Sequence, residues 1–304
     1  MNNHNKECTI KVLGIDLAKQ SFQLHGVDEQ GKVVLRKNLS RNKLTSFVAN
    51  LPPCLIGLEA CGGAHHWVRV FKSLGHTVRM MAPQFVKPYV KSNKNDAVDA
   101  EAICEAATRP KTRFVSIKSE EQQAVLCLHR IRQGATKERT ARINRLRGLL
   151  AEFGITMPKG RYPAQNAIAG ILEDGENNLP FIARELLDDL WQSIKGLNAE
   201  ILKYDRKLYA LANQMKDAKR LMSIPGIGEI TATAVVATIN DAKHFDTSRS
   251  FAAWIGLVPR QYTTGGVVRL GRISKRGEKH IRTSLIHGAR AVIANCKNKT
   301  DRTS

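Results

Sequence analysis

The chain of 304 residues is predicted to form an α/β domain followed by a helical region and a mainly α-helical C-terminal domain. Three observations lead to this prediction. Short apolar runs alternate with helical segments over roughly the first hundred residues, a heptad pattern follows later, and the C-terminal part is strongly basic. The predicted boundaries are 8–114, 115–217 and 218–304.

Charge is the strongest global feature of the sequence. Lys and Arg number 48 against 27 Asp and Glu, a formal net charge of +21. Such an excess indicates a polyanionic partner, most often nucleic acid. We expect a cytosolic protein, because no apolar run approaches the roughly 20 residues that span a bilayer and the first seven residues contain no apolar signal core. The six cysteines form no C-x-x-C pair and are expected to be reduced.

Five strand-like runs and three helical segments are predicted in the first domain. Their order, β-β-β-α-β-α-β-α, is that of the ribonuclease-H-like (RNase H-like) fold. Residues 82–95 are expected to form a loop before the last helix. The strands are 10–17, 21–27, 32–38, 54–58 and 76–81, and the helices are 42–51, 66–74 and 97–108.

Four carboxylates fall at the ends of these elements. Asp16 ends the first strand and Glu59 follows the fourth, so neighbouring strands would present both at one edge of the sheet. Asp96 and Asp99 are three residues apart and share one helix face. Capping of the helix by Asp96 is the alternative. Four converging carboxylates repel each other unless cations neutralise them, and two Mg²⁺ or Mn²⁺ ions would suit phosphodiester cleavage.

The second region begins with a basic helix between residues 115 and 153. Its apolar stripe is predicted to be Val125, Leu128, Ile131, Ala135, Ile143, Leu146 and Leu150. A phosphate-facing surface is predicted from its basic residues, with a solvated helix face as the alternative. The basic residues are Arg130, Arg132, Lys137, Arg139, Arg142, Arg145 and Arg147.

A second long helix is predicted from about Pro180 to Met215, after a connecting loop over residues 154–179. Its apolar residues are spaced alternately by three and four, which is a heptad seam. Either an antiparallel hairpin with the preceding helix or an oligomerisation arm would bury this seam. The seam residues are Leu187, Leu190, Ile194, Leu197, Ile201, Tyr204, Leu208 and Leu211.

The C-terminal domain contains two candidate nucleic-acid-binding segments. The turn around Gly226 and Gly228 resembles a helix-hairpin-helix turn, where backbone N–H groups meet a phosphate; tight packing is the alternative. A basic cluster surrounds Ser274. Composition alone favours passive phosphate binding by this serine, because a hydroxyl needs activation before it attacks phosphorus. The cluster's predicted binding residues are Arg269, Arg272, Lys275 and Arg276.

Six short motifs resemble the DEDD transposases of insertion sequences of the one-hundred-ten type, relatives of the Piv-like DNA invertases. Three resemble the catalytic blocks of that family, although Cys61 stands where many relatives carry Thr. Three others resemble its C-terminal transposase domain. The first set is GID (14–16), LEACG (58–62) and NDAVDA (95–100), and the second is SIPGIG (223–228), FAAWIGLVPR (251–260) and GRISKRG (271–277).

The resemblance implies a RuvC-like N-terminal domain, a coiled-coil insertion and a C-terminal domain in which Ser274 is the nucleophile. It implies that Asp16, Glu59, Asp96 and Asp99 bind Mg²⁺ or Mn²⁺. It also implies that a structured bridge RNA pairs with donor and target DNA. A homo-oligomer, dimer or tetramer, is expected, and the site would be assembled either within one protomer or between protomers.

Three other functions are alternatives to DNA strand transfer. A RuvC-like nuclease or junction resolvase would use metal-activated water and form no covalent intermediate. An actin-like or sugar-kinase fold also opens with a Gly-Ile-Asp segment, but the glycine-rich phosphate motifs of that class do not follow. A non-catalytic DNA- or RNA-binding protein would not need the four carboxylates.

Overall fold

The computed structural model describes residues 9–91, 95–110, 112–239 and 241–296. The chain divides into two compact units, one ending at Lys118 and the other beginning at Ser119. The first predicted boundary lies close to this division. The boundary predicted at residue 218 lies inside the second unit and stays a prediction. In the part of the chain described, no helix is both long and apolar enough to cross a membrane.

A five-stranded mixed sheet forms the centre of the first unit, and its strands are β1 (Val12–Leu17), β2 (Ser21–Val27), β3 (Val33–Ser40), β4 (Leu55–Glu59) and β5 (Thr77–Met81). Their order across the sheet is β3-β2-β1-β4-β5. The first three strands pair antiparallel, whereas β1–β4 and β4–β5 pair parallel. This arrangement is compatible with the predicted RNase H-like fold. The α-helices described in this unit are α1 (Arg41–Ala49), α2 (Ala64–Ser73), α3 (Pro83–Val86) and α4 (Asp96–Thr108).

The predicted loop after β5 is wrong in part. Residues Pro83–Val86 form α3, and a 3₁₀ turn follows over Lys87–Tyr89. A proline near the start of each favours a helical turn, since its fixed φ suits that position. Val86 is buried and packs with Met81 and with residues of α4, so tertiary contacts stabilise this segment.

Two long antiparallel helices, α5 (Glu120–Ala151) and α7 (Phe181–Gln214), dominate the second unit. Arg132 of α5 pairs with Asp205 of α7, and further along α5 Arg139 bonds Asn198, so the helices run in opposite directions. Most of the predicted seam is buried within the chain. The intramolecular hairpin is therefore present, and the oligomerisation arm stays a prediction. Its buried members are Leu187, Ile194, Leu197, Ile201 and Leu208.

The predicted stripe of α5 is wrong at one position. Ile131 is 52% exposed, whereas His129 and Arg139 are buried on the face that includes Val125 and Ile143. His129 follows Val125 by four residues and keeps the helical phase, which Ile131 does not.

The predicted connecting loop is also wrong, because it contains α6 (Arg161–Glu173). Ala164 and Ile168, four residues apart, are buried in a cluster with Ile143 and Leu187. The glycines, prolines and asparagines that favoured a loop flank this helix or lie on its surface.

The C-terminal part of the second unit contains a β-hairpin that the mainly α prediction missed. Its strands are joined at Gly265 and Gly266, both with positive φ as a type I′ turn requires. The Gly-Gly pair between Thr and Val residues was the available signal. The elements are α8 (Lys216–Met222), α9 (Glu229–Thr238), α10 (Ser248–Trp254), β6 (Pro259–Thr264), β7 (Val267–Ile273) and α11 (Lys279–Asn295).

Candidate active site

Asp16 and Glu59 occupy equivalent places on the two central parallel strands. Ile15 of β1 is paired with Leu58 of β4, and the two carboxylates follow these residues. Side chains alternate along a strand, so Asp16 points to the same face as Gly14, and Glu59 to the same face as Gly57. The predicted placement at one edge of the sheet is therefore confirmed.

Helix α4 packs on that face with almost no separating side chains. A β-carbon at Gly14 would lie 2.3 Å from the carbonyl oxygen of Ala100, and one at Gly57 would lie 2.7 Å from the β-carbon of Ala107. Only glycine permits this approach. The N-terminal half of α4 therefore lies over β1, and its C-terminal half lies over β4.

The close packing brings three carboxylates together. Ligand oxygens of Asp16, Asp96 and Asp99 all lie within 4.8 Å of one another. Asp16 and Asp99 are half-buried, and Asp96 is exposed. Hard divalent cations prefer such oxygen ligands, and the mutual repulsion of three carboxylates is relieved by a bound cation. These residues therefore fit a hard divalent cation.

Asn95, rather than Asp96, caps α4. The Asn95 side-chain oxygen accepts a hydrogen bond from the Val98 N–H at 2.9 Å, and Asp96 is the first residue of the helix. The alternative role of Asp96 as the cap is therefore wrong. Its carboxylate instead belongs to the acidic cluster.

Glu59 lies beside this cluster and is not one of its three members. Burial, together with the charges of Glu59 and Asp16, raises the pKa of the Cys61 thiol, so both carboxylates act on the same neighbour. The direction of α4 explains the arrangement, because the first turn of the helix lies nearer β1 than β4. In the part of the structure described, the expected convergence of four carboxylates holds for three.

Ser274 lies directly after β7 in a loop held by backbone contacts. Its N–H donates to the Val258 carbonyl at 2.8 Å, and the Lys275 N–H donates to the Gly256 carbonyl at 3.0 Å. Lys275 adopts a φ of 54°, a left-handed conformation that is uncommon for a side chain of this kind. Ser274 is therefore fixed on both sides along the chain.

Residues 274–278 connect β7 to α11, and we call them the serine loop. Two glycines allow the serine loop to lie against the end of α10. A β-carbon at Gly256 would lie 2.0 Å from the Arg276 carbonyl oxygen, and one at Gly277 would lie 1.8 Å from the Trp254 carbonyl oxygen. Both glycines have positive φ. Larger residues at either position would displace the loop.

Arg282 is a positioning residue that the sequence analysis missed. Its side chain is 7% exposed, and Nη1 donates to the Ile255 carbonyl at 2.8 Å and to the Arg276 carbonyl at 3.2 Å. The guanidinium therefore ties the serine loop to the end of α10. No local pattern separates this arginine from the exposed basic residues around it.

The arginines of α5 do not form a single phosphate-facing surface. Arg139 is buried at 7% exposure and donates to the Asn198 side chain, so the expectation fails for this residue. Arg130 and Arg145 are exposed. The remaining three have intramolecular partners: Arg132 pairs with Asp205, Arg142 pairs with Glu138, and Arg147 bonds Asn144 and the Pro158 carbonyl.

The two glycines of the predicted phosphate-binding turn have different surroundings. Gly226 packs against α11, where a β-carbon at Gly288 would lie 2.0 Å from the Gly226 carbonyl oxygen. The alternative of tight packing is therefore observed at this residue. Gly228 faces open space at the start of α9. Phosphate binding by the turn stays a prediction.

The other predicted binding residues of the C-terminal part lie on its surface. Arg269 and Arg272 belong to β7, and Lys275 and Arg276 belong to the serine loop. All four are exposed. Their position leaves them accessible to a polyanion.

A mixed sheet with clustered carboxylates at the ends of its central strands is the arrangement of a metal-dependent enzyme that acts on phosphodiesters. Comparison with known proteins identifies the family. A family model described as "Transposase" and specific to the DEDD enzymes of IS110 matches residues 13–155, and one described as "Transposase IS116/IS110/IS902 family" matches residues 218–303.

Three relatives match almost the whole chain. A "Probable family 20 transposase" of Pseudomonas aeruginosa is 51% identical over 95% of this chain and 86% of its own length. The transposase for insertion sequence element IS1111A of Coxiella burnetii is 45% identical over 97% and 81%. The transposase for IS1328 of Yersinia enterocolitica is 43% identical over 96% and 87%.

The chain therefore belongs to the IS110 family of insertion-sequence transposases. It is an enzyme that acts on DNA in transposition. The DEDD transposase domain indicates the use of a divalent metal ion.

Proposed function

We propose that this transposase cuts and rejoins DNA through a covalent phosphoserine intermediate formed by Ser274. The observation that carries this proposal is the serine loop. Backbone hydrogen bonds to the Val258 and Gly256 carbonyls hold Ser274 and Lys275 in place. Arg272, Lys275 and Arg276 are exposed and lie close to Ser274 in the sequence. Positive groups at this place would stabilise the charge that develops on a phosphate under attack.

The chemical step exchanges one ester bond for another. Ser274 Oγ forms a bond to the phosphorus, and the bond from phosphorus to a deoxyribose oxygen breaks. The serine proton passes, in net terms, to that leaving oxygen, which becomes a free strand end. A hydroxyl end of the partner strand then attacks the phosphoserine, which regenerates the serine and seals the exchanged strand.

The carboxylates supply the second component of the proposed reaction. Asp16, Asp96 and Asp99 would hold Mg²⁺ or Mn²⁺, with Glu59 beside them as a further ligand. Bound there, the ion would neutralise and orient the scissile phosphate. Ser274 and the carboxylates belong to different units of the chain. We therefore propose that both act on one DNA strand within a homo-oligomer, with the serine and the carboxylates coming either from one protomer or from two.

We propose a structured bridge RNA as a further partner, pairing with donor and target DNA. The net charge of +21 and the exposed Arg130 and Arg145 support a polyanion beyond the DNA substrate. Purification of the full chain from cells that carry its insertion sequence, followed by sequencing of bound RNA, tests this partner. Recovery of only random cellular RNA would contradict it.

Trapping of the covalent intermediate tests the nucleophile. We expect wild-type protein, together with the RNA that co-purifies with it and with donor and target DNA, to give a protein–DNA adduct on a denaturing gel. Ser274→Ala should abolish this adduct, and Ser223→Ala, whose exposed hydroxyl bonds only the Arg220 carbonyl among the contacts described, should retain it. Recombination by Ser274→Ala would overturn the proposal.

The alternative function is a RuvC-like nuclease or junction resolvase that uses metal-activated water. The carboxylate cluster supports this alternative as well, because it requires no serine. Cleavage of DNA by the wild-type chain and by Ser274→Ala at equal rates, without an adduct, would favour the nuclease.

A further inference from the structure

The hairpin of β6 and β7 is an exposed β-ribbon whose faces are covered by no other described element. All six residues of β6 are exposed, as are six of the seven in β7. An isolated two-stranded ribbon is at best marginally stable in water. Its exposed apolar side chains include Val267, Val268 and Leu270, at 59%, 56% and 65%. Such a ribbon is suited to a partner that covers it.

The two faces of the ribbon differ in charge. Tyr262 is opposite Arg269, and a β-carbon at Gly271 would lie 3.7 Å from the Arg260 β-carbon and 3.9 Å from the Tyr262 ring. These four residues therefore share one face, which we call the arginine face. The opposite face contains the paired residues Gln261 with Leu270 and Thr263 with Val268.

We propose that the arginine face of this ribbon docks into the major groove of duplex DNA. The groove is about 12 Å wide and admits a two-stranded ribbon, whereas the major groove of an RNA duplex is too narrow. Arginine can contact guanine there, and the apolar side chain of Val267, two residues before Arg269 on the same face, can contact thymine methyl groups. Gly271 leaves space at the centre of the arginine face for the close approach of a base edge.

Charge opposes a second copy of the ribbon as the partner of the arginine face. Between Thr247 and Cys296 the sequence contains one acidic residue, Glu278, and its carboxylate accepts a hydrogen bond from the His280 N–H at the start of α11. Arg260, Arg269 and Arg272 are not balanced by acids of the ribbon itself. Two such ribbons repel each other, and a DNA duplex attracts both.

The position of the ribbon relates the DNA to Ser274. Ser274 follows β7 directly, and the Arg260 side chain donates to the Ser274 carbonyl at 3.5 Å. Seven strand residues span about 23 Å, which is about seven base-pair steps of DNA. The groove contact therefore lies within about seven base pairs of the phosphate presented to Ser274. The distance to this phosphate rests on the proposed role of Ser274 as the nucleophile. The proposed groove contact does not rest on that role.

A change of shape without a change of charge tests the docking face. The probe is a fluorescent, mixed-sequence DNA duplex of about three helical turns, bound to the full-length chain and followed by anisotropy. Gly271→Leu should weaken binding about tenfold, since it blocks contacts of the kind that distinguish bases. Thr263→Leu, on the opposite face, should bind as the wild type does. Equal affinity for both variants would overturn the proposal.

Charge removal and groove probes give independent measurements. Arg260→Ala/Arg269→Ala should bind DNA more weakly than Lys203→Ala/Arg206→Ala, which removes two exposed charges from α7. Wild-type protein should protect guanine N7 from methylation, and Gly271→Leu should lose that protection. Retained protection of guanine N7 by Gly271→Leu would also overturn the proposal.

Two controls separate this inference from protein unfolding and from the nucleophile. Thermal unfolding of Gly271→Leu checks its fold, and Arg269→Gln, which adds no bulk, serves as a second variant. All binding measurements are repeated in Ser274→Ala protein, where the docking face should behave unchanged. Failure to form an adduct in the wild type would contradict the serine mechanism and leave the groove measurement valid.

Discussion

Gly14 and Ala100 are in such close contact that a β-carbon on the glycine would lie 2.3 Å from the alanine carbonyl oxygen. This contact is between the central strand β1 and helix α4. It allows the first turn of α4, with Asp96 and Asp99, to reach Asp16. The geometry of the carboxylate cluster therefore depends on Gly14, a residue without a side chain.

Gly14→Ala is expected to separate α4 from β1. The added methyl group meets backbone atoms, which must shift, so we expect destabilisation of about 1–3 kcal/mol and weaker binding of Mn²⁺. Isothermal titration with Mn²⁺ and thermal unfolding measure the two effects. Gly62→Ala is the matched control, because its β-carbon would enter open space. Wild-type Mn²⁺ affinity in Gly14→Ala would contradict the role of this contact.

Asn95 is expected to have a structural role as the cap of α4, and Asp96 is expected to bind the metal ion. Asn95→Ala removes the cap of α4 and should cost about 1 kcal/mol of stability. Asp96→Asn removes repulsion within the cluster, so its stability should be unchanged or higher while Mn²⁺ binding falls at least about tenfold. Denaturant unfolding and metal titration on both proteins give the comparison. The reverse pattern would restore Asp96 as the cap.

Arg282→Lys is expected to release the serine loop. Lysine cannot reproduce the fixed geometry of the guanidinium between the Ile255 and Arg276 carbonyls. We expect adduct formation by Ser274 to fall at least about tenfold, with Mn²⁺ binding by the carboxylates unchanged. Arg290→Lys, exposed on the same helix, serves as the control. Adduct formation at the wild-type rate in Arg282→Lys would show that this bridge has no role in positioning.

The second unit is expected to lose stability in acid. Burial lowers the pKa of His129 from its ordinary value of 6.5 to about 4, helped by the charges of His280 and Arg132, and burial also lowers the pKa of His280. The unfolded chain therefore binds protons that the folded chain does not. Stability is fully present above pH 6.5 and falls as the pH approaches 4. Thermal unfolding across this interval measures the loss.

His129→Gln provides the comparison for the acid effect. It removes one titrating group and can retain the hydrogen bond to Thr233. The fall in unfolding temperature between pH 6.5 and 4 should become shallower in this variant. An unchanged slope would show that other groups control the response to acid.

Local pattern was sufficient for much of the first unit. The apolar runs predicted all five strands, and the positions of Asp16 and Glu59 at strand ends followed from them. The heptad spacing likewise predicted α7 and its buried seam. Each of these features depends on neighbours within one or two turns, so the sequence displays it directly.

Local sequence pattern did not predict the features that depend on residues far apart in the sequence. Arg139 and Arg282 resemble the exposed arginines beside them, and their burial depends on Asn198, 59 positions away, and on the Ile255 carbonyl, 27 positions away. Helix α6 was not predicted, because residues that favour loops flank it. Buried contacts with α5 and α7 stabilise this helix. Such contacts are set by packing, which local composition does not specify.

The sequence by itself determined which side chains are candidates for the chemistry and which helix has an apolar seam, because carboxylates at strand ends, a heptad seam and a basic serine segment are patterns of neighbouring residues. The tertiary structure alone decided that Asn95 caps α4 and that Asp16, Asp96 and Asp99 meet beside Glu59. The physical reason is the close contact of Gly14 with Ala100. The need for a glycine at position 14 becomes apparent only when the backbone of α4 is seen packed against it.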